Sequence, residues 1–192
     1  NSSKKRSIYQ QGYFINYSSN RKNENFPFVI IGEISKPFLG NIMNDKYKLN
    51  ALLSILGLIS VSILEGQRLK GFYISVEDLY NNIINKKHWM IHYCEWLFYL
   101  LKIIGYEIDY KNNNKKYFDI YKQEFNDEIN KSSLLFPYDM FNKKKFVTYE
   151  NIYRVFVIFE SIFKQNHLDN INYKMPVTYI NFKKIILKTL RD

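Results

Sequence analysis

Three side chains near the middle of the chain have the spacing of metal ligands. His88, His92 and Glu95 fall on one face if residues 88–104 form a helix, and imidazole and carboxylate groups are common ligands of zinc. A site of this kind would make the protein a metal-dependent enzyme. No fourth ligand lies nearby in the sequence, and the neighbouring residues are largely aromatic. An ordinary polar stripe on a helix surface is therefore the favoured interpretation, and we expect no metal and no cofactor.

The other polar motifs do not indicate catalysis. The seven glycines are scattered, so the sequence contains no phosphate-binding loop. Cys94 is the single cysteine and lies in an apolar segment, without the exposed, electropositive setting of a reactive thiol. A lone cysteine excludes an intramolecular disulfide and favours a reducing, cytoplasmic compartment. We interpret the carboxylate pairs Glu107/Asp109 and Asp127/Glu128 as solvated turn residues. The chain is predicted not to be an enzyme and to have no small-molecule substrate.

The charge of the chain favours a polyanionic partner. There are 28 Lys and Arg against 18 Asp and Glu, a formal net charge of +10, which suits nucleic acid or an anionic membrane surface. Lys4, Lys5 and Arg6 precede the first predicted strand, and Arg21 and Lys22 follow it. Cations beside exposed tyrosines can hold phosphates while the rings stack on bases. These five residues are the candidate DNA-binding residues, with an ordinary solvated loop as the alternative.

Apolar periodicity predicts strands first and helices afterwards. Alternation over residues 7–17 and 26–34 predicts two strands that pair as a hairpin. Ile15 and Tyr17 are among the residues of one face of the first strand, and Ile30 and Ile34 alternate in the second. Residues 49–64 form an apolar run that spans about 24 Å as a helix, short of the roughly 30 Å of a bilayer core. A buried helix is therefore expected there, and no membrane association.

Helix signals begin after residue 37. Asp45 is expected to cap a helix that ends near residue 64, and Ser-Val-Glu-Asp at 75–78 has the pattern of a capping box. A third helix over 88–104 should end at Gly105 and pack with the first two as a bundle. Two weak strands are expected within 117–130. Two further helices follow, one over 149–165 and one capped by Thr178.

Several short motifs occur in a definite order along the chain. Ser-Lys-Lys-Arg at 3–6 precedes Ile-Tyr-Gln-Gln-Gly at 8–12, and Leu-Glu-Gly at 64–66 follows the first long helix. Trp89-x2-His92-Tyr93 runs to Gly105-Tyr106-x2-Asp109, Leu-Phe-Pro occupies 135–137, and Pro-x-Thr-x3-Phe-Lys-Lys begins at residue 176. In this order and spacing the chain resembles the RecO family of bacterial recombination mediators, especially its alphaproteobacterial form. Members of the family with paired cysteines after the Gly-Tyr turn bind zinc. Residues 110–116 contain no cysteine, so the resemblance implies a zinc-free form, and Leu97 stands where many members have Glu.

The resemblance implies an α+β fold and a non-enzymatic function. Residues 1–37 would be the last part of an OB-type β-barrel whose first strands lie upstream, and residues 38–192 a mainly α-helical domain with a small zinc-free insertion near 106–135. Such a protein binds single- and double-stranded DNA, anneals complementary strands and, with RecR, helps load RecA onto DNA coated with SSB. It acts in the bacterial cytoplasm, at the nucleoid. The acidic, apolar C-terminal tail of SSB requires a basic rim around an apolar pocket, for which Lys86, Lys87, His88 and Trp89 are candidates. Another OB-type protein that binds RNA is the alternative.

Overall fold

The computed structural model describes residues 11–23, 27, 29–36 and 38–192, and residue 39 by its backbone alone. It is a mixed α+β structure, as expected. Strands β1 (Phe14–Asn20) and β2 (Val29–Lys36) precede helices α1 (Phe38–Ile42), α2 (Lys46–Ser62), α3 (Phe72–Asn85) and α4 (Trp89–Ile103). Strands β3 (Tyr117–Asp119), β4 (Glu124–Asn126) and β5 (Ser133–Leu135) follow, and then helices α5 (Tyr138–Asn142), α6 (Tyr149–Ile162) and α7 (Val177–Arg191), with a π-helical segment, Phe163–Leu168, after α6. The described strands make two small antiparallel sheets, and these do not close into a barrel.

The predicted pairing of the hairpin is confirmed, but β1 continues to Asn20, three residues beyond the predicted end of the first strand, and residues 7–10 of that prediction lie outside the described residues. β1 and β2 are antiparallel, with Ile15 opposite Ile34 and Tyr17 opposite Gly32. Residues directly opposite in such a pair share a face, so the apolar residues named above do lie together. Tyr17 and Ile30 are 68% and 53% exposed, which leaves much of this apolar face uncovered by the described residues. An exposed two-stranded sheet of this kind is only marginally stable unless something packs against it.

The base of the hairpin is attached to the helices through one aromatic residue. Phe14 is buried, and its ring lies 5.0 Å from that of Phe38 and 5.1 Å from that of Tyr80 between ring centroids. Edge-to-face contacts of this kind stabilise a pair beyond the area they bury. The hairpin base and α3 therefore belong to one hydrophobic core, whereas the domain boundary after residue 37 stays a prediction.

Helix α4 is the central helix, and its predicted end is confirmed. Nine of its fifteen residues are buried, Cys94 and Leu97 among them. The amide of Gly105 donates to the carbonyl of Lys102 at 3.1 Å, and that of Tyr106 donates to Leu101 at 2.8 Å. These two bonds form a Schellman motif, in which Gly105 has a φ of +97°. Glycine adopts this left-handed conformation without the penalty that a side chain brings.

The bundle extends beyond the three helices expected from the sequence. α2 packs chiefly against α7, and α4 packs against α3 and α6. α2 is well buried, with Ala51, Leu52, Ile55 and Leu58 each at most 1% exposed, as predicted for a core helix. Among the described residues, no helix combines the length and apolar character that crossing a membrane requires.

A three-stranded sheet in the order β4-β3-β5 follows α4. A buried carboxylate, Asp119, organises it. One oxygen accepts hydrogen bonds from the amides of Tyr121 and Lys122, and the other accepts from Asn130 Nδ2 at 2.7 Å and Ser132 Oγ at 2.9 Å. The amide of Lys122, with the other donors, lowers the pKa of Asp119 from 3.8 to about 2, because each bond favours the charged form. Hydrogen bonds to one carboxylate thus hold together both turns of the sheet.

Two predicted helix caps are wrong. α3 begins at Phe72 behind Gly71, so Ser75 lies inside the helix and its hydroxyl donates to the carbonyl of Phe72 at 2.7 Å. α7 begins one residue before Thr178, with Pro176 as its N-cap. The cap expected at Asp45 is confirmed, since its carboxylate accepts from the amides of Tyr47 and Lys48.

Candidate nucleic-acid interface

Four helix ends meet at one end of the helical body. Lys48 in the first turn of α2 donates from Nζ to the carbonyl of Ile84, in the last turn of α3, at 2.9 Å. Side-chain hydrogen bonding with Thr189 lowers the pKa of Tyr47, which places the end of α7 beside the start of α2. Trp89, the first residue of α4, packs against Phe182 of α7 with 6.2 Å between ring centroids. The start of α2 therefore lies beside the ends of α3 and α7, and the start of α4, which follows α3 closely, lies beside the first half of α7.

This end of the molecule concentrates positive charge. We call it the basic pole and define it by seven cations, Lys46, Lys48, Lys86, Lys87, Lys184, Lys188 and Arg191, all exposed except the half-buried Lys48. The carboxylates of Asp45, Glu150 and Asp192 lie in the same region. Several cations at the ends of α3 and α7 also face the negative end of a helix dipole, which favours them there. The excess of cations suits a polyanion.

Three of these cations form a stripe on α7. Lys184, Lys188 and Arg191 are spaced four and three residues apart, so they share one helix face, and all three are exposed. Lys183 lies on another face, where its Nζ lies 2.7 Å from both oxygens of Glu160. Of the pair Lys183-Lys184, only the second therefore belongs to the basic pole. The spacing of 184, 188 and 191 is a signal that sequence reasoning missed.

An aromatic pair adjoins the stripe. Tyr149 and Tyr153, at the start of α6, stack with 5.9 Å between ring centroids and 9° between ring planes. Tyr149 lines a shallow depression together with Leu190 and Arg191, and Tyr153 is 41% exposed. An exposed ring beside cations is the arrangement with which proteins hold single-stranded nucleic acid.

Two of the five predicted DNA-binding residues lie within the described part of the chain. Lys4, Lys5 and Arg6 lie outside the described residues. Arg21 and Lys22 are exposed and follow β1 directly. At about 3.3 Å per residue the seven residues of β1 place them about 20 Å from Phe14, at the far end of the hairpin from its attachment to the helices.

Two of the four residues of the predicted partner-binding rim, Lys86 and Lys87, belong to the basic pole. Lys86, Lys87 and His88 are exposed, and Trp89 is half-buried. A cleft of about 470 Å³ lies elsewhere on α4, where His92, Glu95, Trp96 and Tyr99 line it. None of the four rim residues lines this cleft, so the structure does not join the predicted rim to a pocket. The role of the rim in binding a partner stays a prediction.

The residues of the metal hypothesis do not form a metal site. His92 Nδ1 lies 3.3 Å from Glu95 Oε2, and Glu95 also pairs with Lys144. His88 is the exposed residue before the first turn of α4. Within the described ranges, no three His, Cys, Asp or Glu side chains are placed to hold an ion. Burial raises the pKa of Cys94, so this thiol stays protonated and is a poor nucleophile.

Comparison of the chain with protein-family models, with characterised proteins and with solved structures gives no significant match.

Proposed function

We propose that this protein binds DNA and acts as a recombination mediator of the RecO type. The basic pole is the observation that carries the DNA-binding part, because it joins cations from α2, α3 and α7 and lies beside a stacked tyrosine pair of which Tyr153 is exposed. Phosphate contacts supply most of the affinity of such a surface, and stacking on Tyr153 adds a preference for unpaired bases. The resemblance in motif order along the sequence carries the assignment to RecO.

The N-terminal hairpin supports the proposed barrel. Its apolar face, formed by Ile15, Tyr17, Ile30 and Ile34, is what the inner surface of an OB-type barrel needs, since inward-facing residues alternate along each strand of a barrel. Further strands would cover this face. Arg21 and Lys22 would then lie at one rim of the barrel and extend the DNA-binding surface.

Charge reversal on α7 tests the DNA-binding surface. We expect K188E and R191E to weaken binding of a labelled single-stranded oligonucleotide, measured by fluorescence anisotropy over a range of salt concentrations. The slope of log affinity against log salt should become shallower by about 0.7 for each phosphate that the variant no longer neutralises. K174E is the matched control, because Lys174 is also exposed but precedes the first residue of α7, and Lys188 lies about 16 Å further along that helix from its first residue.

The tyrosine pair has its own control. Y153A should weaken single-strand binding by about tenfold, the value of one stacked base, and should affect duplex binding less. Tyr121, 74% exposed in the turn between β3 and β4, provides the comparison as Y121A.

Equal losses of affinity in K174E and K188E, or affinity that does not change with salt, would refute the interface.

The mediator role needs assays with partners. We expect the protein to anneal complementary strands, to bind RecR, and to bind the acidic tail peptide of SSB through Lys86 and Lys87. K86E and K87E should weaken tail binding, and single-stranded DNA should compete with the peptide. Tight binding of RNA, with no affinity for the SSB tail, would instead favour an OB-type RNA-binding protein.

A further inference from the structure

One cation of the basic pole has its ammonium group occupied by the protein itself. Lys48 is the half-buried member of the group, and its Nζ donates to the carbonyl of Ile84 at 2.9 Å. A phosphate that approached Lys48 would have to compete with this hydrogen bond. Lys86 and Lys87 are exposed, so a phosphate can reach them from solvent. Lys48 is therefore the cation of the pole that is least suited to direct contact with DNA.

The bond from Lys48 closes the end of α3. Ile84 lies in the last turn of this helix, where the carbonyl groups have no amide partner within the helix. α3 has no basic residue of its own in that turn, so the cation that faces the negative end of its dipole comes from α2. The next residue but one, Lys86, is the C-cap, and its amide donates to the carbonyl of Asn82 at 2.9 Å. Lys48 thus acts on the turn that leads directly into Lys86.

Lys48 itself is on a fixed part of the fold. The carboxylate of Asp45 accepts from the amides of Tyr47 and Lys48 and so fixes the first turn of α2, and the rest of α2 is packed in the core. By contrast, Lys86 and Lys87 lie in a connection of three residues between the end of α3 and the start of α4. In so short a connection, a shift in the last turn of α3 moves both lysines.

We propose that Lys48 is a positioning residue, which holds Lys86 and Lys87 where they contact DNA phosphates and does not contact a phosphate itself. The inference rests on the proposed DNA-binding function, and it divides the cations of the basic pole into those that bind DNA and one that orients its neighbours. The competing explanation is that Lys48 is one more direct phosphate contact.

A double-mutant cycle separates these two roles. Methionine keeps most of the length of the lysine stem but removes the ammonium group. We expect K48M to weaken binding of a labelled single-stranded oligonucleotide, measured by fluorescence anisotropy. In a K86M/K87M chain, K48M should change the affinity by no more than about twofold, the precision with which independent effects add. In a K188E/R191E chain, K48M should cause its full loss, because the cations of α7 do not depend on the bond to Ile84.

A second lysine of the chain provides the matched control. Lys115 Nζ also donates to a backbone carbonyl, that of Phe125, at 3.1 Å, but Lys115 is outside the basic pole. K115M therefore removes one ammonium group and one bond of the same kind, and we expect it to leave the affinity for the oligonucleotide unchanged.

Hydrogen exchange followed by NMR gives a measurement that does not require DNA. The amide of Lys86, bonded to the carbonyl of Asn82, should exchange faster in K48M than in K115M, because the loss of the bond to Ile84 loosens the last turn of α3. Equal exchange rates in the two variants would show that Lys48 does not hold this turn and would overturn the positioning role. Circular dichroism melts show that each variant has kept its fold.

The affinity measurements can also contradict the proposal. If K48M causes the same loss in the K86M/K87M chain as in the unmodified one, Lys48 contacts DNA directly and the positioning role is wrong. If K48M leaves the affinity of the unmodified chain unchanged, the bond to Ile84 is only structural, which also overturns it. The DNA-binding function itself fails by a different result, in which K86M/K87M and K188E/R191E both leave binding intact.

Discussion

Gly57 lies where α2 comes closest to the start of α7. A Cβ atom built on Gly57 would overlap Thr178 Oγ1 and would lie 3.1 Å from Pro176 Cβ. The threonine hydroxyl can rotate away, but the proline ring is fixed on the backbone. The G57A substitution should therefore push the two helices apart, and α2 against α7 is a major contact of the core.

Two opposing effects determine how much G57A changes the free energy of unfolding. Replacing glycine by alanine inside a helix normally stabilises it by about 1 kcal/mol. Overpacking a close contact costs about 1–3 kcal/mol. The proline ring and the backbone limit how far the structure can relax around Gly57. We therefore expect the cost of overpacking to exceed the gain in helix propensity, so that G57A lowers the free energy of unfolding by about 1 kcal/mol.

Urea unfolding followed by circular dichroism measures this change. G40A is the control: Gly40 also lies in a helix, α1, but a Cβ there meets nothing within 4 Å, so the substitution should stabilise slightly. The G57A/T178A double variant should recover part of the stability, because Thr178 Oγ1 is removed and has no hydrogen-bond partner among the described residues. If G57A stabilises the protein as much as G40A does, the packing argument is wrong.

Three further predictions concern single contacts. Asp119 has a pKa lowered to about 2 from 3.8, so its stabilising effect is complete above about pH 4 and disappears as the pH falls towards 2; thermal melts across this range should show less pH dependence in D119N. E160A should lower the free energy of unfolding by about 1–2 kcal/mol, since Glu160 accepts from both Lys183 and Tyr179, and E160Q should be less destabilised in the same urea titration. G105A should cost about 1–2 kcal/mol because of the left-handed backbone at this residue, visible as a lower urea midpoint with an unchanged m-value.

Local signals in the sequence predicted those elements whose stability is local. Asp45 caps α2 through bonds to amides two and three residues away, and Gly105 ends α4 through bonds within five residues. Both patterns can be recognised without knowledge of the rest of the fold. The hairpin was predicted for the same reason, since its strands are close in sequence and alternate in polarity.

The errors arise where distant contacts decide the structure. Ser75 has the pattern of a capping residue, but α3 begins earlier, and the ring of Tyr73 in its first turn lies 5.3 Å from that of Phe14 in β1. Strand β5 forms because Ser133–Leu135 pairs with β3 across the turn that Asp119 organises. The strand could not be predicted from the sequence, because three residues are too few to show the alternation of polarity that is typical of a strand. The basic pole was missed as a unit for the same reason, because its cations come from α2, α3 and α7 and meet only in the folded protein.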